Sequence, residues 1–297
     1  MVSIGEIIRV NRKELGYSQE ELCFGICTSA NLSKIENGER IPTRATFEAL
    51  MQRMGLSSDV YPSFLNDKDK KAYELKHDFN EMFARGEYEE AEKILDELDA
   101  FSKLDRVYEQ FIMMSRVLIE MQKGMCPEEV VEEFDKIIEI FFKDFAIDKI
   151  RRMVLTKTEI NLLNAYAVAC YRAGDTELTI KILYELVTYI DSKVYDRQGI
   201  AIVYTQILYN LSKYVGMAGD DEEAVRLCDI GINLCIRYDR HSHFANLLYN
   251  KGYGLMNMGK EEEAHKCIRE SYYISSAMGE ELEVIRSFAE SKGINLL

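Results

Sequence analysis

A chain of 297 residues is too long for one small core, so two domains, or one domain followed by a repeat array, are expected. Its composition, 47% hydrophobic and 30% charged with three prolines and no tryptophan, excludes a disordered protein and favours helix. The net charge of −14 argues against a nucleic-acid surface along the whole chain. However, residues 1–65 hold seven basic and eight acidic residues, so the acidity belongs to the remainder.

The sequence contains no pattern typical of a membrane span, a signal peptide or a metal site. The longest apolar runs are shorter than the roughly 18 residues that span a bilayer, and the first residues already follow a helical pattern, so a cytoplasmic location is expected. The seven cysteines are scattered without a C-x-x-C pair and are expected to be reduced. Cys23 with Cys27, and His241 with His243, are the candidate metal ligands. Neither pair has a second pair nearby to complete a tetrahedral shell, so no metal and no cofactor is predicted.

The first sixty-five residues follow the pattern of four short helices. Each helix begins after a hydroxyl residue that can cap it, and these caps are Ser3, Ser18, Thr28 and Thr43. Apolar residues recur at helical spacing after each cap, and glycines follow three of the helices as stop signals. The short turn Gly25-Ile26-Cys27 between the second and third helices is typical of a helix-turn-helix domain.

Two motifs in this segment resemble a known domain. Gln19-x-x-Leu22, followed by Ser33-Lys34-Ile35-Glu36-Asn37-Gly38, resembles the Xre/Cro-type DNA-binding domain. The resemblance implies that the third helix enters the major groove, where its outward residues meet base edges. The expected base-reading residues are Ser29, Ala30 and Lys34, with Asn31 and Ser33 next. The residues expected to hold phosphates are Gln19, Asn37, Arg40 and Thr43, and the cap Thr28 completes the predicted DNA-binding set. The alternative is a solvated face on an exposed helix.

The resemblance implies two further features. Arg12 and Glu36 are expected to form a partly buried ion pair with a structural role. Between Leu22 and Thr28 this chain has one residue fewer than most Xre domains. In this shorter turn it is similar to the peptide-sensing RRNPP group, which comprises the Rap, Rgg, NprR, PlcR and PrgX proteins.

The remainder of the chain repeats a short signature. Residues 66–71 are polar and are expected to be a linker or the start of a connecting helix, so the predicted domains are 1–65 and 72–297. The turn glycines of the repeats lie 38, 50, 45 and 40 residues apart, and they are Gly86, Gly124, Gly174, Gly219 and Gly259. Repetition at this period predicts about five stacked helical hairpins and a closing helix from about Glu280. The whole chain is therefore expected to be all-α, with a right-handed solenoid that resembles tetratricopeptide repeats.

Side-chain amides recur in register before the turn glycines. Three successive repeats have two each, and these are Asn161 with Asn164, Gln206 with Asn210, and Asn246 with Asn250. On a concave surface such a ladder could bind the backbone of an extended peptide, because an amide both donates and accepts. Tyrosines in the same helices could form side-chain pockets, and the predicted contacts are Tyr171, Tyr209 and Tyr249. In the RRNPP group, asparagines at such positions clasp the signalling peptide. The alternatives are that the amides bond neighbouring helices and that the tyrosines belong to the core.

These observations predict a peptide-controlled transcription regulator. Helix-turn-helix domains of this type read paired half-sites in double-stranded DNA, so a homodimer is expected, with dimer contacts and sensor both in the repeats. The alternative from another class is a repeat array that docks a folded protein partner. The four histidines have no nucleophile or acid partner at a meaningful spacing and no phosphate-binding glycine loop occurs, so catalysis is not expected.

Overall fold

The chain is all-helical throughout the part described by the computed structural model, which comprises residues 3–56, 67–102, 105–193, 197–239 and 241–296. In these ranges no helix combines the length and the apolar character needed to cross a membrane. The chain divides into two compact units. The first contains residues 1–173 with 193–196, and the second contains residues 174–192 with 197–297.

The first unit begins with the four predicted short helices. They are α1 (Ile4–Glu14), α2 (Gln19–Cys23), α3 (Ser29–Glu36) and α4 (Arg44–Arg53). Each of the four predicted caps accepts a hydrogen bond from a backbone amide in the first turn of its helix. Their core is built from fully buried side chains that the helical spacing predicted, including Ile8, Leu22, Leu32, Phe47 and Leu50. Each such side chain stabilises the fold by about 1.5–3 kcal/mol.

The same unit continues into the first repeats. Its further elements are α5 (Asp67–Ala84), α6 (Tyr88–Ser102), α7 (Arg106–Lys123), α8 (Pro127–Phe141), a 3-10 helix (Ile147–Arg152) and α9 (Lys157–Arg172). Residues 67–71 form the first turn of α5, so this part of the expected linker is helix. The predicted domain boundary near residue 65 lies outside the described residues, which resume at residue 67.

The second unit contains the last repeats. Its elements are α10 (Thr176–Ser192), α11 (Arg197–Met217), α12 (Asp221–Tyr238), α13 (Phe244–Asn257), α14 (Glu261–Met278) and α15 (Glu283–Ser291). Helices α11 and α12, and then α13 and α14, are neighbours in both sequence and space. The predicted closing helix corresponds to α15, which packs Ile285 and Ala289 against Ile268 of α14.

The repeat signature corresponds to tight turns between helices. All five turn glycines have positive φ, between 74° and 96°, a conformation that ends a helix at little cost only for glycine. Three of the turns are followed by an alanine that is at most 2% exposed, and these are Ala91, Ala224 and Ala264. A small side chain at such a position lets two helices approach closely. The pattern of helix, glycine turn and helix was therefore predicted correctly from spacing alone.

Candidate functional site

The first candidate site is the exposed face of α3. Thr28 Oγ1 accepts from the backbone amide of Asn31 at 3.2 Å and fixes the start of the helix. Leu32 and Ile35 are buried, which turns the opposite side of the helix to solvent. Of the ten residues predicted to contact DNA, six are exposed, and these are Thr28, Ser29, Ala30, Lys34, Asn37 and Arg40. The other four are half-buried, and these are Gln19, Asn31, Ser33 and Thr43.

Three of the half-buried residues already have partners within the protein. Gln19 Nε2 donates to Glu36 Oε2 at 2.8 Å, and Asn31 Oδ1 accepts from Arg40 Nη1 at 3.1 Å. Thr43 Oγ1 accepts from the amide of Thr46 and donates to Asp105 Oδ2. The Thr43 hydroxyl therefore uses its proton in a hydrogen bond to Asp105. It could donate to a DNA phosphate only if that hydrogen bond were broken.

The ion pair between α1 and α3 is present. Arg12 Nε donates to Glu36 Oε1 at 2.6 Å, and Arg12 Nη2 donates to Glu36 Oε2 at 2.8 Å. Burial alone would raise the pKa of Glu36, but hydrogen bonds from Arg12 and Gln19 outweigh it and lower that pKa. The carboxylate therefore stays charged at neutral pH and holds α1, α2 and α3 together below the exposed face.

Acidic residues of the repeat helices form hydrogen bonds and an ion pair with α4. The sequence analysis did not predict these contacts. Arg53 Nη2 lies 2.5 Å from Glu159 Oε1, and both side chains are at most 3% exposed. Asp105 Oδ2 accepts from the Thr46 hydroxyl at 2.8 Å, and Asp69 accepts from the backbone amide of Arg44 at 3.1 Å. Their signal in the sequence is faint, because Asp69, Asp105 and Glu159 each resemble an ordinary acidic residue at a helix N-terminus.

The second candidate site is a pocket of about 620 Å³ inside the second unit. Its walls come mainly from α11 and α13, with single residues of α12 and α14, and from the start of α15 and the segment before it. The residues that line it include Tyr209, Ser212, Lys213, Met217, Asn246, Tyr249, Asn250, Tyr253, Glu280, Glu281, Val284 and Ile285. This volume lies within the range of about 300–1,000 Å³ that is usual for ligand sites.

Asn250 and Asn246 differ in how they are bonded. Asn250 Nδ2 donates to the backbone oxygen of Tyr209 at 3.2 Å and to Ser212 Oγ at 3.0 Å, so it joins α13 to α11. Asn246 lines the pocket and has no hydrogen-bond partner in the described ranges. Its amide is therefore available to a ligand as both donor and acceptor.

Three tyrosines give the pocket aromatic walls. The ring of Phe288 in α15 packs against Tyr249 and Tyr253, with centroids 5.6 and 5.3 Å apart, and Tyr209 stacks on His243 at 5.3 Å. Burial raises the pKa of Tyr209 and of Tyr249, so both hydroxyls stay protonated donors at neutral pH. Within the described residues none of the three hydroxyls has a hydrogen-bond partner.

Four of the nine residues predicted to bind a peptide line this pocket, and these are Tyr209, Asn246, Tyr249 and Asn250. Asn210 and Gln206 lie on α11 outside the lining. Asn161, Asn164 and Tyr171 belong to α9 in the first unit. Asn164 and Asn210 are buried and have partners within the protein. At these two positions the structure therefore agrees with the alternative that the amides bond neighbouring helices.

Other lining residues were missed. Ser212, Lys213 and Met217 follow Tyr209 at spacings of three, four and eight residues, and this helical period could have identified them. Glu280 accepts from Ser275 Oγ at 2.7 Å where the chain turns into α15. No periodic pattern indicates that segment, because it lies between two helices.

The structure thus defines a helix-turn-helix protein with tetratricopeptide-like helical repeats. A helix-turn-helix family model matches residues 8–61 and establishes that domain, with the Xre-type features described above.

Solved structures resemble the chain over nearly its whole length. PlcR of Bacillus thuringiensis, in complex with the peptide PapR7 and DNA, is 14% identical with a TM-score of 0.60 over 98% of this chain and 99% of that one. The apo competence regulator ComR of Streptococcus vestibularis is 17% identical with a TM-score of 0.58 over 99% of both chains. ComR of S. thermophilus, with DNA and its signalling peptide ComS, is 17% identical with a TM-score of 0.54 over 98% and 100%. No curated protein sequence matches significantly.

Proposed function

We propose that this chain is a cytoplasmic DNA-binding transcription regulator controlled by a short peptide that binds in the pocket of its second unit. The observation that carries the proposal is a pocket of about 620 Å³ lined by Asn246 and three tyrosines, whose side-chain amide and hydroxyls have no hydrogen-bond partner within the described residues. Such groups match the alternating donors and acceptors of a peptide backbone, while the rings accept apolar side chains. A flat apolar groove, as expected for docking of a folded protein, would lack these amides.

The DNA-binding half of the proposal rests on α3. Ser29, Ala30 and Lys34 lie together on its exposed side, and the family match covers this helix. Lys34 would donate to guanine acceptors, and the Ala30 methyl would contact a thymine methyl. One such helix contacts few base pairs, so we propose that two copies of the chain read paired half-sites as a homodimer.

The relatives support both halves. The solved PlcR complex contains a peptide and DNA, and the ComR complex contains DNA and a signalling peptide. The present chain shares their fold over nearly its whole length. A ligand that binds one form of the repeats more tightly than another would shift the protein towards that form.

DNA recognition is tested by selection from a random double-stranded DNA library. We expect an enriched sequence with two similar half-sites about one helical turn apart. Absence of any enriched sequence, with or without ligand, would refute the DNA-binding half.

Peptide recognition is tested by native mass spectrometry after incubation with the peptide fraction of spent culture medium from the source organism. We expect an adduct of peptide mass that weakens in Asn246→Ala and in Tyr209→Phe, and that persists in Asn233→Ala, which changes an exposed amide of α12 outside the pocket. Retention of only a folded protein, with no peptide adduct, would favour the docking alternative.

A further inference from the structure

A basic segment interrupts the acidic repeats between α8 and α9. Residues 143–157 contain five basic and two acidic side chains, a net charge of +3 in a chain whose total is −14, so the remaining residues together carry −17. Four of the five basic side chains are exposed and the fifth is half-buried, and in chain order they are Lys143, Lys149, Arg151, Arg152 and Lys157. A local surplus of positive charge on so acidic a chain indicates a negatively charged partner.

The middle of the basic segment is a fixed turn that presents two of these cations together. The 3-10 helix Ile147–Arg152 is anchored by Ile150, which is fully buried. Side chains three residues apart in a 3-10 helix lie on the same side, so Lys149 and Arg152 are neighbours. Lys149 Nζ donates to the backbone oxygen of Asp144 at 3.3 Å, and within the described ranges the Arg152 guanidinium has no hydrogen-bond or ion-pair partner.

The basic segment lies against the helix-turn-helix domain, within the same compact unit. Lys143 Nζ lies 3.2 Å from Oε1 of Glu20, in the first turn of α2. The backbone amide of Lys157 donates to Oε1 of Gln52 in α4, also at 3.2 Å. Arg152 and the α2 cap Ser18 line one recess of about 550 Å³. The cations are therefore beside the N-terminal turn of α2.

The N-terminal turn of α2 is also where the DNA backbone is expected. Gln19, the first residue of α2, belongs to the predicted phosphate contacts, and helix N-termini favour anions through their free backbone amides. Each strand of a duplex carries one negative charge for about every 3.4 Å of its axis. A backbone that passes the start of α2 therefore brings further phosphates towards the basic segment.

The helix-turn-helix domain has few cations of its own for this backbone. Residues 1–65 contain seven basic and eight acidic side chains. Three of the seven, Arg12, Arg44 and Arg53, are each paired with a glutamate within the protein. Neutralisation of phosphates supplies essentially all of non-specific DNA affinity, so the domain gains from cations that the repeats bring next to it.

We propose that the basic segment is a second DNA contact, in which Lys149 and Arg152 bind phosphates of the backbone that passes the start of α2. This inference rests on the DNA-binding half of the proposed function and extends the interface from the helix-turn-helix domain into the repeats. Phosphate contacts carry no direct sequence information. The segment therefore adds affinity for any duplex, while α3 selects the sequence.

The test measures how the affinity of the full chain for DNA depends on salt. Fluorescence anisotropy titrations use the selected duplex and an unrelated duplex of equal length, at KCl concentrations from about 50 to 200 mM. Each phosphate contact that is lost should reduce the slope of log affinity against log salt by about one. We expect the double variant Lys149→Gln/Arg152→Gln to reduce this slope by about two, and to weaken binding of both duplexes by a similar factor.

Two further variants serve as controls. Lys93→Gln/Lys181→Gln removes the same charge from exposed positions on α6 and α10, and it should leave the slope unchanged. Lys149→Arg/Arg152→Lys keeps both positive charges and should retain the slope of the unchanged chain, which separates loss of charge from damage to the turn.

The inference is overturned if Lys149→Gln/Arg152→Gln leaves the slope unchanged, whether or not the affinity falls. It is also overturned if the control on α6 and α10 reduces the slope equally, since net charge would then explain the effect. In both cases the unchanged chain still binds its selected duplex, so the proposed function stands. If the unchanged chain binds neither duplex at any salt concentration, the proposed function fails and the second DNA contact fails with it.

Discussion

Glu159 contacts two segments that lie more than a hundred residues apart in sequence. Its carboxylate accepts from the backbone amide of Thr156 at 2.7 Å, which completes the cap of α9, and it also pairs with Arg53 of α4 at 2.5 Å. The Arg53 guanidinium in turn donates to two carbonyls at the end of α2. A single carboxylate thus joins the start of a repeat helix to the helix-turn-helix domain. Spacing arguments could not find this pair, because nothing in a linear pattern indicates a partner 106 residues away.

We predict that Glu159→Gln destabilises the first unit by about 3 kcal/mol, because it leaves the Arg53 charge buried without its counter-charge. Hydrogen exchange of peptides from α1–α4, followed by mass spectrometry, measures this local stability. The matched control is Glu133→Gln, which removes an exposed pair with Lys136 and should change stability by less than about 1 kcal/mol. Equal effects of the two changes would show that the buried pair adds nothing to stability.

Lys34 offers a residue-scale test of the exposed face of α3. It is exposed and lies in the last turn of the helix. We predict that Lys34→Ala weakens binding to the selected DNA sequence by about 1–3 kcal/mol, roughly five-fold or more, because a base contact is lost. A titration followed by footprinting measures the change, with Lys136→Ala as the control on a helix outside the domain. An affinity equal to that of the unchanged chain would remove Lys34 from the reading face.

At the scale of helices, the sequence predicted where elements start and end but not how closely they pack. The caps and turn glycines determine the ends of a helix by local hydrogen bonds and backbone angles, so they are visible in a short window. Close approach between helices is not local. Gly5 in α1 shows this, because a Cβ at that position would lie 1.8 Å from the backbone oxygen of Ile35 in α3. The helical pattern gave no reason to single out this glycine.

We therefore predict that Gly5→Ala lowers the stability of the helix-turn-helix domain by about 3 kcal/mol, since neither backbone can move without disturbing the core between α1 and α3. The comparison is Gly216→Ala in α11, where a Cβ would lie 3.3 Å from the Ala224 Cβ and the helical preference of alanine offsets the tight contact. That change should stay within about 1 kcal/mol. Hydrogen exchange of the two regions measures both, and a stable Gly5→Ala variant would contradict the close packing of α1 on α3.

At the scale of the whole chain, the predicted amide ladder was only partly informative. The position of an amide within its repeat can be read from local spacing, and two of the amides found in this way, Asn246 and Asn250, line the pocket. Whether an amide faces the pocket or the neighbouring helix depends on the rotation of each helix, which spacing does not fix. Asn210 is 8% exposed and partnered for this reason, although its spacing matches that of Asn250. The closing segment with Glu280 and Val284 enters the pocket only because the chain turns back after α14.

The last prediction concerns whether residues 1–65 fold by themselves, as their sequence pattern suggests. In the structure these residues share one compact unit with the first repeats. A fragment ending at residue 65 lacks Asp69, Asp105 and Glu159, so the amide of Arg44, the hydroxyls of Thr43 and Thr46, and the buried charge of Arg53 lose their partners. We predict that amides of α4 exchange at least about a hundred-fold faster in this fragment than in the full chain, equivalent to about 3 kcal/mol.

A fragment of residues 1–173 retains all three acidic residues and should protect α4 as the full chain does. If the short fragment protects α4 equally well, the acidic contacts do not hold the helix. If only the longer fragments protect it, the position of α3 depends on helices α5, α7 and α9. A ligand that moves those helices would then alter DNA recognition without contacting the helix-turn-helix domain, because the two are joined by buried charges.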